Sequence, residues 1–361
     1  MSQRTIIVVE DDPFPRMLQV MLDPSAAPER FAALADFVAH DLPDFAAWCD
    51  SVRASAGAMY PAEVRLVSSQ DELRANLPDA AALVTESLTV GTEELAVAGK
   101  LKVVQKYGTV LRNIDTAACA ARGIKVLPLR RRANIACAEH AFALMLALAK
   151  KLNSITGVIS MEQVRTAGYS PKTFDRRYVP NSGWAGITGL RMLNASTIGI
   201  IGMGEIGREI ALRAHAFGMH AIYSQRTRLP ATEELALHIE YRPLAELLAA
   251  SDWVCPVLPH TPATENLLGS TELARMKRGA CLVNIARAQI VNRAALLDAL
   301  QSGQLGGFAL DPQYEEPGRA GDELLAFDNV ILTPHIAAQP RFNSLSDFEE
   351  LITGVARALI A

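Results

Sequence analysis

Short apolar runs rich in β-branched residues alternate with amphipathic stretches along almost the whole chain. Such runs are typical of buried strands, and the stretches between them are typical of helices. Because strand and helix alternate throughout, the pattern predicts parallel α/β sheets covered by helices. The predicted strands are residues 5–9, 65–68, 82–84, 103–105, 125–127, 197–201, 221–223, 253–257, 282–285, 307–309 and 330–332.

An apolar helix and a long irregular segment separate the first five predicted strands from the rest. The helix, residues 136–152, is apolar nearly all round, which indicates burial on several faces. Residues 168–192 show little periodicity and contain many glycine, proline and basic residues, as a long excursion does. We interpret residues 152–193 as an arm, and the arm and helix together favour a homodimer.

Length and charge narrow the class of protein. A chain of 361 residues exceeds one average domain, so two domains are expected. The 35 basic and 39 acidic residues give a net charge of −4, which provides no positive field for nucleic acid or an anionic membrane. We therefore expect neither a nucleic-acid partner nor a membrane surface.

The cysteines and the apolar segments bear on the compartment. The five cysteines are scattered and form no C-x-x-C pair, which argues against disulfides and zinc and favours a reducing compartment. The apolar run Ile6 to Val9 is too brief for a signal peptide, and Glu139 and His140 interrupt the most apolar helix. The sequence predicts a soluble, cytoplasmic protein with no membrane segment.

A glycine motif follows the strand predicted at residues 197–201. Gly202, Gly204 and Gly207 form G-x-G-x-x-G between that strand and a predicted helix. The first glycine allows a tight turn, the second lets the backbone approach a pyrophosphate, and the third lets helix pack on strand. The helix N–H groups then hold the anion. The motif in this context predicts a dinucleotide-binding site.

The residues after the next strand bear on which dinucleotide binds. An acidic residue that would accept hydrogen bonds from the adenosine ribose is missing there, and Gln225, Arg226 and Arg228 occupy the segment instead. An aspartate would repel a 2′-phosphate, whereas an arginine pairs with one. The sequence therefore favours NADP(H) over NAD(H). The alternative is that these arginines form a solvated turn and leave the choice of cofactor loose.

Further chemistry-bearing side chains follow three later strands. Each of three predicted buried strands is followed by such side chains: Arg287 after the first, Asp311 and Glu316 after the second, and His335 after the third. The carboxyl ends of parallel strands are where α/β sheets place ligand groups, and an arginine fork suits a carboxylate.

Taken together, these motifs resemble the D-isomer-specific 2-hydroxyacid dehydrogenase family over nearly the whole chain. The resemblance includes Ala138-Glu139-His140, Pro259-His260-Thr261-Pro262, Leu310-Asp311 with Glu316-Pro317, and Thr333-Pro334-His335. Other matching segments are residues 113–115, 121–124 and 284–287.

We predict two doubly wound parallel-sheet domains with a cleft between them. Residues 1–128 and 336–361 form a flavodoxin-like substrate domain, and residues 129–335 form a Rossmann cofactor domain.

The resemblance implies hydride transfer between NAD(P)H and a 2-oxo acid, or the reverse reaction with a D-2-hydroxy acid. Arg287 would bind the substrate carboxylate and polarise the 2-oxo group. His335 would be the acid/base, and Glu316 would hydrogen-bond its imidazole and hold it protonated. Asp311 would lie near the nicotinamide carboxamide. The remaining implied cofactor contacts are Glu205, Ile206, Leu258, Thr264, Ile285 and Ala286, and the family's usual state is a homodimer.

The substrate side of the pattern departs from the family. Backbone groups at Thr109 and Val110 would meet the substrate carboxylate, but Val110 replaces a usual glycine and narrows or reshapes the pocket. Three consecutive arginines, residues 130–132, replace a loop that usually contains proline. We assign Arg130 to substrate binding, toward a second anionic group or the cofactor phosphates. A solvated loop is the open alternative.

Three rival interpretations need weighing. The same fold and catalytic residues occur in transcriptional corepressors, so a nucleotide-sensing binding protein is the alternative function. The first strand and Glu10-Asp11-Asp12-Pro13 resemble a response-regulator receiver domain, but no apolar run precedes Asp50, where the phosphorylated strand end would lie. The other six histidines show no metal-ligand spacing, and no metal is predicted.

Overall fold

The computed structural model describes residues 4–360. The chain divides into two compact units, the first formed by residues up to Asn134 with those from Ala338 onward, the second by Ile135–Ala337. The sequence analysis expects these divisions after residues 128 and 335. Every strand pairing in the described chain is parallel, which confirms the predicted fold class of two parallel-sheet α/β domains.

The first unit is built on a five-stranded sheet with strand order β2-β1-β3-β4-β5, the order of flavodoxin-like folds. Its strands are β1 (Thr5–Glu10), β2 (Ala62–Val67), β3 (Ala82–Thr85), β4 (Val103–Lys106) and β5 (Lys125–Leu127). Its helices are α1 (Leu18–Leu22), α2 (Pro28–Val38), α3 (Phe45–Ala56), α4 (Gln70–Asn76), α5 (Thr92–Val97), α6 (Thr116–Ala121) and the C-terminal α15 (Phe342–Ile360). Alternate residues of β1 enter different apolar clusters, so both faces of this sheet are covered.

A buried carboxylate at the end of β1 organises the first unit. Glu10 accepts hydrogen bonds from the Thr85 hydroxyl at 2.7 Å and from the Glu86 and Ser87 amides at 2.6 and 2.8 Å. Burial raises the pKa of Glu10, but these hydrogen bonds outweigh burial and lower it overall. The receiver-like resemblance stops here, because Asp50 lies within α3 rather than at a strand end and pairs with Arg53 at 3.0 Å.

The second unit is built on a seven-stranded sheet with order β12-β11-β10-β9-β6-β7-β8, the Rossmann order extended by one strand. Its strands are β6 (Thr197–Ile201), β7 (His220–Ser224), β8 (Ile239–Tyr241), β9 (Trp253–Pro256), β10 (Ala280–Asn284), β11 (Leu305–Leu310) and β12 (Val330–Leu332). Its helices are α7 (Arg132–Lys150), α8 (Leu152–Ile155), α9 (Met161–Thr166), α10 (Glu205–Ala216), α11 (Ala231–Leu237), α12 (Leu244–Ala250), α13 (Ser270–Arg275) and α14 (Arg293–Gln301). All eleven predicted strands overlap observed ones, and only β8 was not expected.

The apolar helix and the arm are both present. Helix α7 has 19 residues, begins just before the boundary between the units, and is long and apolar enough by composition to cross a membrane. Half of that apolar stretch is buried, as in the core helix of a globular protein. Its residues Ala138, Ala141 and Met145 pack in the apolar core of the second unit. Helices α8 and α9 lie within the segment interpreted as an arm, and after α9 the chain has no regular secondary structure until β6, in agreement with the low periodicity of residues 168–192.

Candidate active site

The three glycines of the motif after β6 have different surroundings. Gly202 has a φ of +103°, and a Cβ there would lie 2.6 Å from the Val257 carbonyl oxygen. A Cβ at Gly207 would lie 2.3 Å from the Gly202 carbonyl oxygen. A Cβ at Gly204 would meet nothing within 4 Å, although Gly204 is the N-cap residue directly before α10. The protein itself therefore requires the first and third glycines, and the second borders open space at a helix N-terminus, where a pyrophosphate fits.

The loop after β7 is joined to the glycine loop. The Met203 amide donates to Gln225 Oε1 at 3.2 Å, and Gln225 Nε2 donates to the Thr227 carbonyl at 2.5 Å. Gln225 is thus fixed at the position where the acidic residue is missing. Arg226 is exposed and forms no hydrogen bond or ion pair with any residue between 4 and 360.

Arg228, considered above with Arg226, has a structural partner. Its guanidinium donates twice to the Glu234 carboxylate, at 2.8 Å each, and the Tyr223 hydroxyl donates to the same carboxylate at 2.7 Å. The Arg228 hydrogen bonds, helped by Tyr223, lower the pKa of Glu234 to about 2. Both arginines are exposed, but Arg228 is paired with Glu234, whereas Arg226 pairs with no residue of the described chain.

The other expected cofactor contacts lie in the same unit. Leu258 follows β9 and packs beside the first glycine, since a Cβ at Gly202 would lie 2.8 Å from its Cδ2. The Thr264 hydroxyl donates to the Pro259 carbonyl at 2.6 Å and holds the loop after β9. The remaining positions are half-buried Glu205 and Ile206 in the first turn of α10, and Ile285 and Ala286 directly after β10.

Arg287 follows β10 on a loop that the Asn284 side chain shapes. Asn284 Nδ2 donates to the Arg287 carbonyl at 2.8 Å, and Asn284 Oδ1 accepts from the Ala286 amide at 2.9 Å. The Arg287 side chain is exposed, and Nη1 donates to the Ala286 carbonyl at 2.6 Å. No carboxylate among the described residues pairs with this guanidinium.

His335 and Glu316 form the pair that the sequence predicts. His335 Nδ1 lies 2.9 Å from Glu316 Oε1, and both side chains are nearly half exposed. The Gln313 amide donates to the same carboxylate at 3.1 Å, which holds it toward the imidazole. Glu315 instead pairs with Arg319 at 2.7 Å, so Glu316 is the correct neighbour.

Asp311, at the end of β11, is fully buried. Its carboxylate accepts hydrogen bonds from the Thr333 hydroxyl at 2.6 Å and from the Ile336 and Ala337 amides at 2.9 and 2.8 Å. Burial raises the pKa of Asp311, but hydrogen bonds from His140, Thr333 and the two amides lower it overall. The structure thus places this carboxylate beneath the loop that carries His335.

His140 is the site residue that sequence reasoning missed. It lies on α7, and its Nε2 is 3.0 Å from the Thr333 hydroxyl and 3.4 Å from Asp311 Oδ1. The available signal was the matching segment Ala138-Glu139-His140, which was used only for the resemblance. Sequence reasoning considered His140 only as a possible metal ligand.

The expected substrate residues belong to the first unit. Thr109 is exposed and Val110 is half-buried, and both follow β4. Arg130 is exposed.

The two arginines next to Arg130 have partners within the first unit. Arg131 pairs with Glu86 at 2.8 Å and stacks over Tyr107, with 4.6 Å from Cζ to the ring centre. Arg132 pairs with the buried Asp347 at 2.9 Å. Both of these arginines therefore have structural partners within the first unit.

No set of three or more histidine, cysteine or acidic side chains among residues 4–360 is placed to hold a metal ion. The five cysteines are buried and unlinked.

The fold and site of the second unit define a dinucleotide-binding α/β protein with a histidine–carboxylate pair at the end of its sheet. Residues 142–337 match the family model for the D-isomer specific 2-hydroxyacid dehydrogenase NAD binding domain. The chain is 37% identical over 295 residues to glyoxylate reductase from Pyrococcus furiosus, covering 81% of this chain and 82% of that protein. It is 34% identical over 281 residues to D-3-phosphoglycerate dehydrogenase from Archaeoglobus fulgidus, covering 77% of this chain and 49% of that protein.

Among solved structures, TT0316 protein from Thermus thermophilus is 30% identical, with a TM-score of 0.51 and coverage of 85% of this chain and 91% of that one. The chain belongs to the D-isomer specific 2-hydroxyacid dehydrogenase family. It is accordingly an oxidoreductase with a domain for a nicotinamide cofactor, as the sequence motifs predicted.

The different surroundings of the glycines predict different effects of one added methyl group. Gly204→Ala should change the free energy of unfolding by less than about 1 kcal/mol, since its Cβ meets open space. It should nevertheless weaken nucleotide binding at least about tenfold, because the methyl group lies where the pyrophosphate approaches. Gly207→Ala should cost about 2 kcal/mol or more through its contact with backbone. Urea unfolding measures the free energy of unfolding of each variant, and fluorescence titration measures its affinity for nucleotide. An affinity of Gly204→Ala equal to that of the wild type would contradict the placement of the pyrophosphate beside Gly204.

Proposed function

We propose that the protein is a reductase of 2-oxo acids, and in reverse a D-2-hydroxy acid dehydrogenase, that prefers NADP(H). The observation that carries the proposal is the 2.9 Å contact between His335 Nδ1 and Glu316. Glu316 follows β11 and His335 follows β12, in the same parallel sheet as the glycine loop, so all three lie at its carboxyl edge. The relatives named glyoxylate reductase and D-3-phosphoglycerate dehydrogenase support a small 2-oxo or 2-hydroxy acid as substrate.

The residues of the second unit fit a nicotinamide dinucleotide, with open space at Gly204 and the N-terminus of α10 for its phosphates. A bound reduced nicotinamide supplies a hydride to the carbonyl carbon. Arg287, whose guanidinium has no carboxylate partner within the described chain, binds the substrate carboxylate and polarises the 2-oxo group. His335 gives a proton from Nε2 to the carbonyl oxygen, while Glu316 holds Nδ1.

The remaining assignments extend this proposal. Thr109, Val110 and Arg130 stay proposed substrate contacts on the strength of the family resemblance. Ile285, Ala286, Leu258 and Thr264 stay proposed cofactor contacts, supported by their positions after β9 and β10.

Substitution of His335 tests the reaction directly. The protein is assayed with NADPH and NADH against glyoxylate, hydroxypyruvate, pyruvate, phenylpyruvate, 2-oxoglutarate and phosphohydroxypyruvate. With the acid that turns over, His335→Gln should lower kcat at least about 100-fold, because it removes the acid/base, and leave the Kd for nucleotide unchanged. His220→Gln, an exposed histidine at the amino end of β7, is the matched control.

Undiminished turnover in His335→Gln would overturn the catalytic assignment. Tight nucleotide binding without reduction of any acid by the wild-type protein would instead favour the corepressor-like alternative.

Cofactor preference depends on Arg226 in this proposal. Arg226→Gln should raise the KM for NADPH roughly tenfold, since it removes the exposed cation that pairs with a 2′-phosphate, and leave the KM for NADH unchanged. Gln225→Asp together with Arg226→Ala should move the preference toward NADH. Steady-state kinetics with both cofactors measures the ratio, and an NADPH:NADH ratio equal to wild type in both variants would show that this loop does not select the cofactor.

We also propose that the protein is a cytoplasmic homodimer, supported by five buried cysteines that form no disulfide and by the exposed apolar side chains of its arm. Ile159 and Met192 in the arm are 81% and 67% exposed. Light scattering should give the mass of two chains, and Ile159→Glu with Met192→Glu should halve it by burying charge at the interface. Leu235→Glu, exposed on α11, is the control and should leave the dimer intact. A wild-type monomer at micromolar concentration would contradict the proposal.

A further inference from the structure

The structure assigns a positioning role to His140 and Thr333. We propose that His140, Thr333 and Asp311 form a clamp that fixes the loop of residues 333–337 and thereby holds His335 in its reactive position. The inference rests on the proposed function for the role of His335, and it adds the residues through which His335 is held.

The loop needs such a clamp because of its backbone. His335 has a φ of +53°, in the left-handed region that a residue with a Cβ adopts only at a cost of about 1 kcal/mol or more. Three successive amides of the loop donate to Asp311. The His335 amide donates to its carbonyl at 3.1 Å, and the Ile336 and Ala337 amides donate to its carboxylate at 2.9 and 2.8 Å. One buried side chain and its own backbone therefore determine this strained turn.

The carboxylate of Asp311 depends in turn on Thr333 and His140. It is fully buried, and no lysine or arginine in the described chain pairs with it. A buried charge is costly unless hydrogen bonds satisfy it, so the Thr333 hydroxyl that donates to it matters, and so does His140, which contacts both. Removal of either side chain weakens the hydrogen bonding of the carboxylate and loosens its hold on the loop.

The hydrogen positions follow from the donor inventory. The Thr333 hydroxyl has one proton and gives it to Asp311 Oδ1 at 2.6 Å. Its oxygen can then only accept from His140, so the His140 Nε2, 3.0 Å away, carries a hydrogen. His140 thus acts as a donor that orients the Thr333 hydroxyl toward Asp311.

The position of His140 makes the clamp rigid. Its side chain is 17% exposed and extends from α7, whose neighbouring residues Ala138 and Ala141 are fully buried in the core. The loop that carries His335 is therefore tied to a core helix as well as to β11. Loss of this tie should displace the imidazole from the reacting carbonyl without altering the glycine loop, where nucleotide binds.

The first experiment measures the clamp without any reaction. Hydrogen exchange by NMR should show the Ile336 and Ala337 amides exchanging at least about tenfold faster in Thr333→Val than in the wild type, because the carboxylate holds them less firmly. Thr333→Ser keeps the hydroxyl and should restore protection. Equal protection in all three proteins would overturn the clamp, whether or not a substrate has been found.

The second experiment tests the link to His335. Thr333→Val and His140→Leu should each lower kcat about tenfold to a hundredfold, with the nucleotide Kd within twofold of wild type. His140→Gln, whose amide can donate to Thr333, should recover most of the loss. Glu139→Gln, an exposed neighbour on α7 that pairs with Arg213, should match wild type.

A double-mutant cycle separates positioning from a general structural effect. If His140 acts through His335, His140→Leu should cause no further loss of kcat in the His335→Gln background. Equal losses in both backgrounds would overturn the positioning role. Should His140→Leu fail to fold, Thr333→Val with its serine control decides the same question. A wild-type protein inactive on every oxo acid would defeat the proposed function, while the exchange measurement would still decide the clamp.

Discussion

The site depends on the burial of one carboxylate. Asp311 lies directly after β11 in the second unit and is fully buried. Three consecutive amides of the loop after β12 donate hydrogen bonds to it. A buried charge must be satisfied by donors, and here the donors come from the segment that carries His335. The requirement to satisfy Asp311 and the requirement to place His335 are therefore met by the same hydrogen bonds. This explains how an unfavourable left-handed histidine persists at the end of a strand.

The parallel sheet supplies the rest of the arrangement. Residues far apart in the chain, such as Gly204, Arg287 and His335, each follow a strand of one sheet. Because all these strands run in one direction, their carboxyl ends share an edge, and so do the side chains that follow them. The asparagine at the end of β10 and the glutamine at 313 fix their loops through backbone hydrogen bonds. These loops at the edge are thus held by hydrogen bonds from the protein's own side chains.

Most of the fold could be predicted from the sequence, and so could the glycine turn after β6 and the contact of His335 with Glu316, because strand periodicity and the glycine motif are local signals. Strand β8 was missed because its three residues, Ile239 to Tyr241, have an acidic residue in the middle and form no continuous apolar run. The pairing of Arg228 with Glu234 was also missed, since it depends on where α11 places its side chains. His140 was missed for the same reason, as 193 positions separate it from Thr333 and only the tertiary structure joins them.

Some charged residues near the site have partners within their own unit, and others have none; this difference distinguishes structural residues from candidate ligand-binding residues. Glu10, Arg131, Arg132 and Arg228 all have charged or hydrogen-bonding partners within their own unit, and each holds a loop or chain segment. Arg226 and Arg287 remain without a carboxylate partner in the described chain, although a folded protein of net charge −4 contains ample acids to pair with them. An exposed cation alone means little, but the Arg226 loop is hydrogen-bonded to the glycine loop through Gln225, and Arg287 follows β10 of the same parallel sheet. Two exposed cations at the carboxyl edge of one sheet are what an anionic cofactor and an anionic substrate would pair with, and this is why we propose the chemistry there.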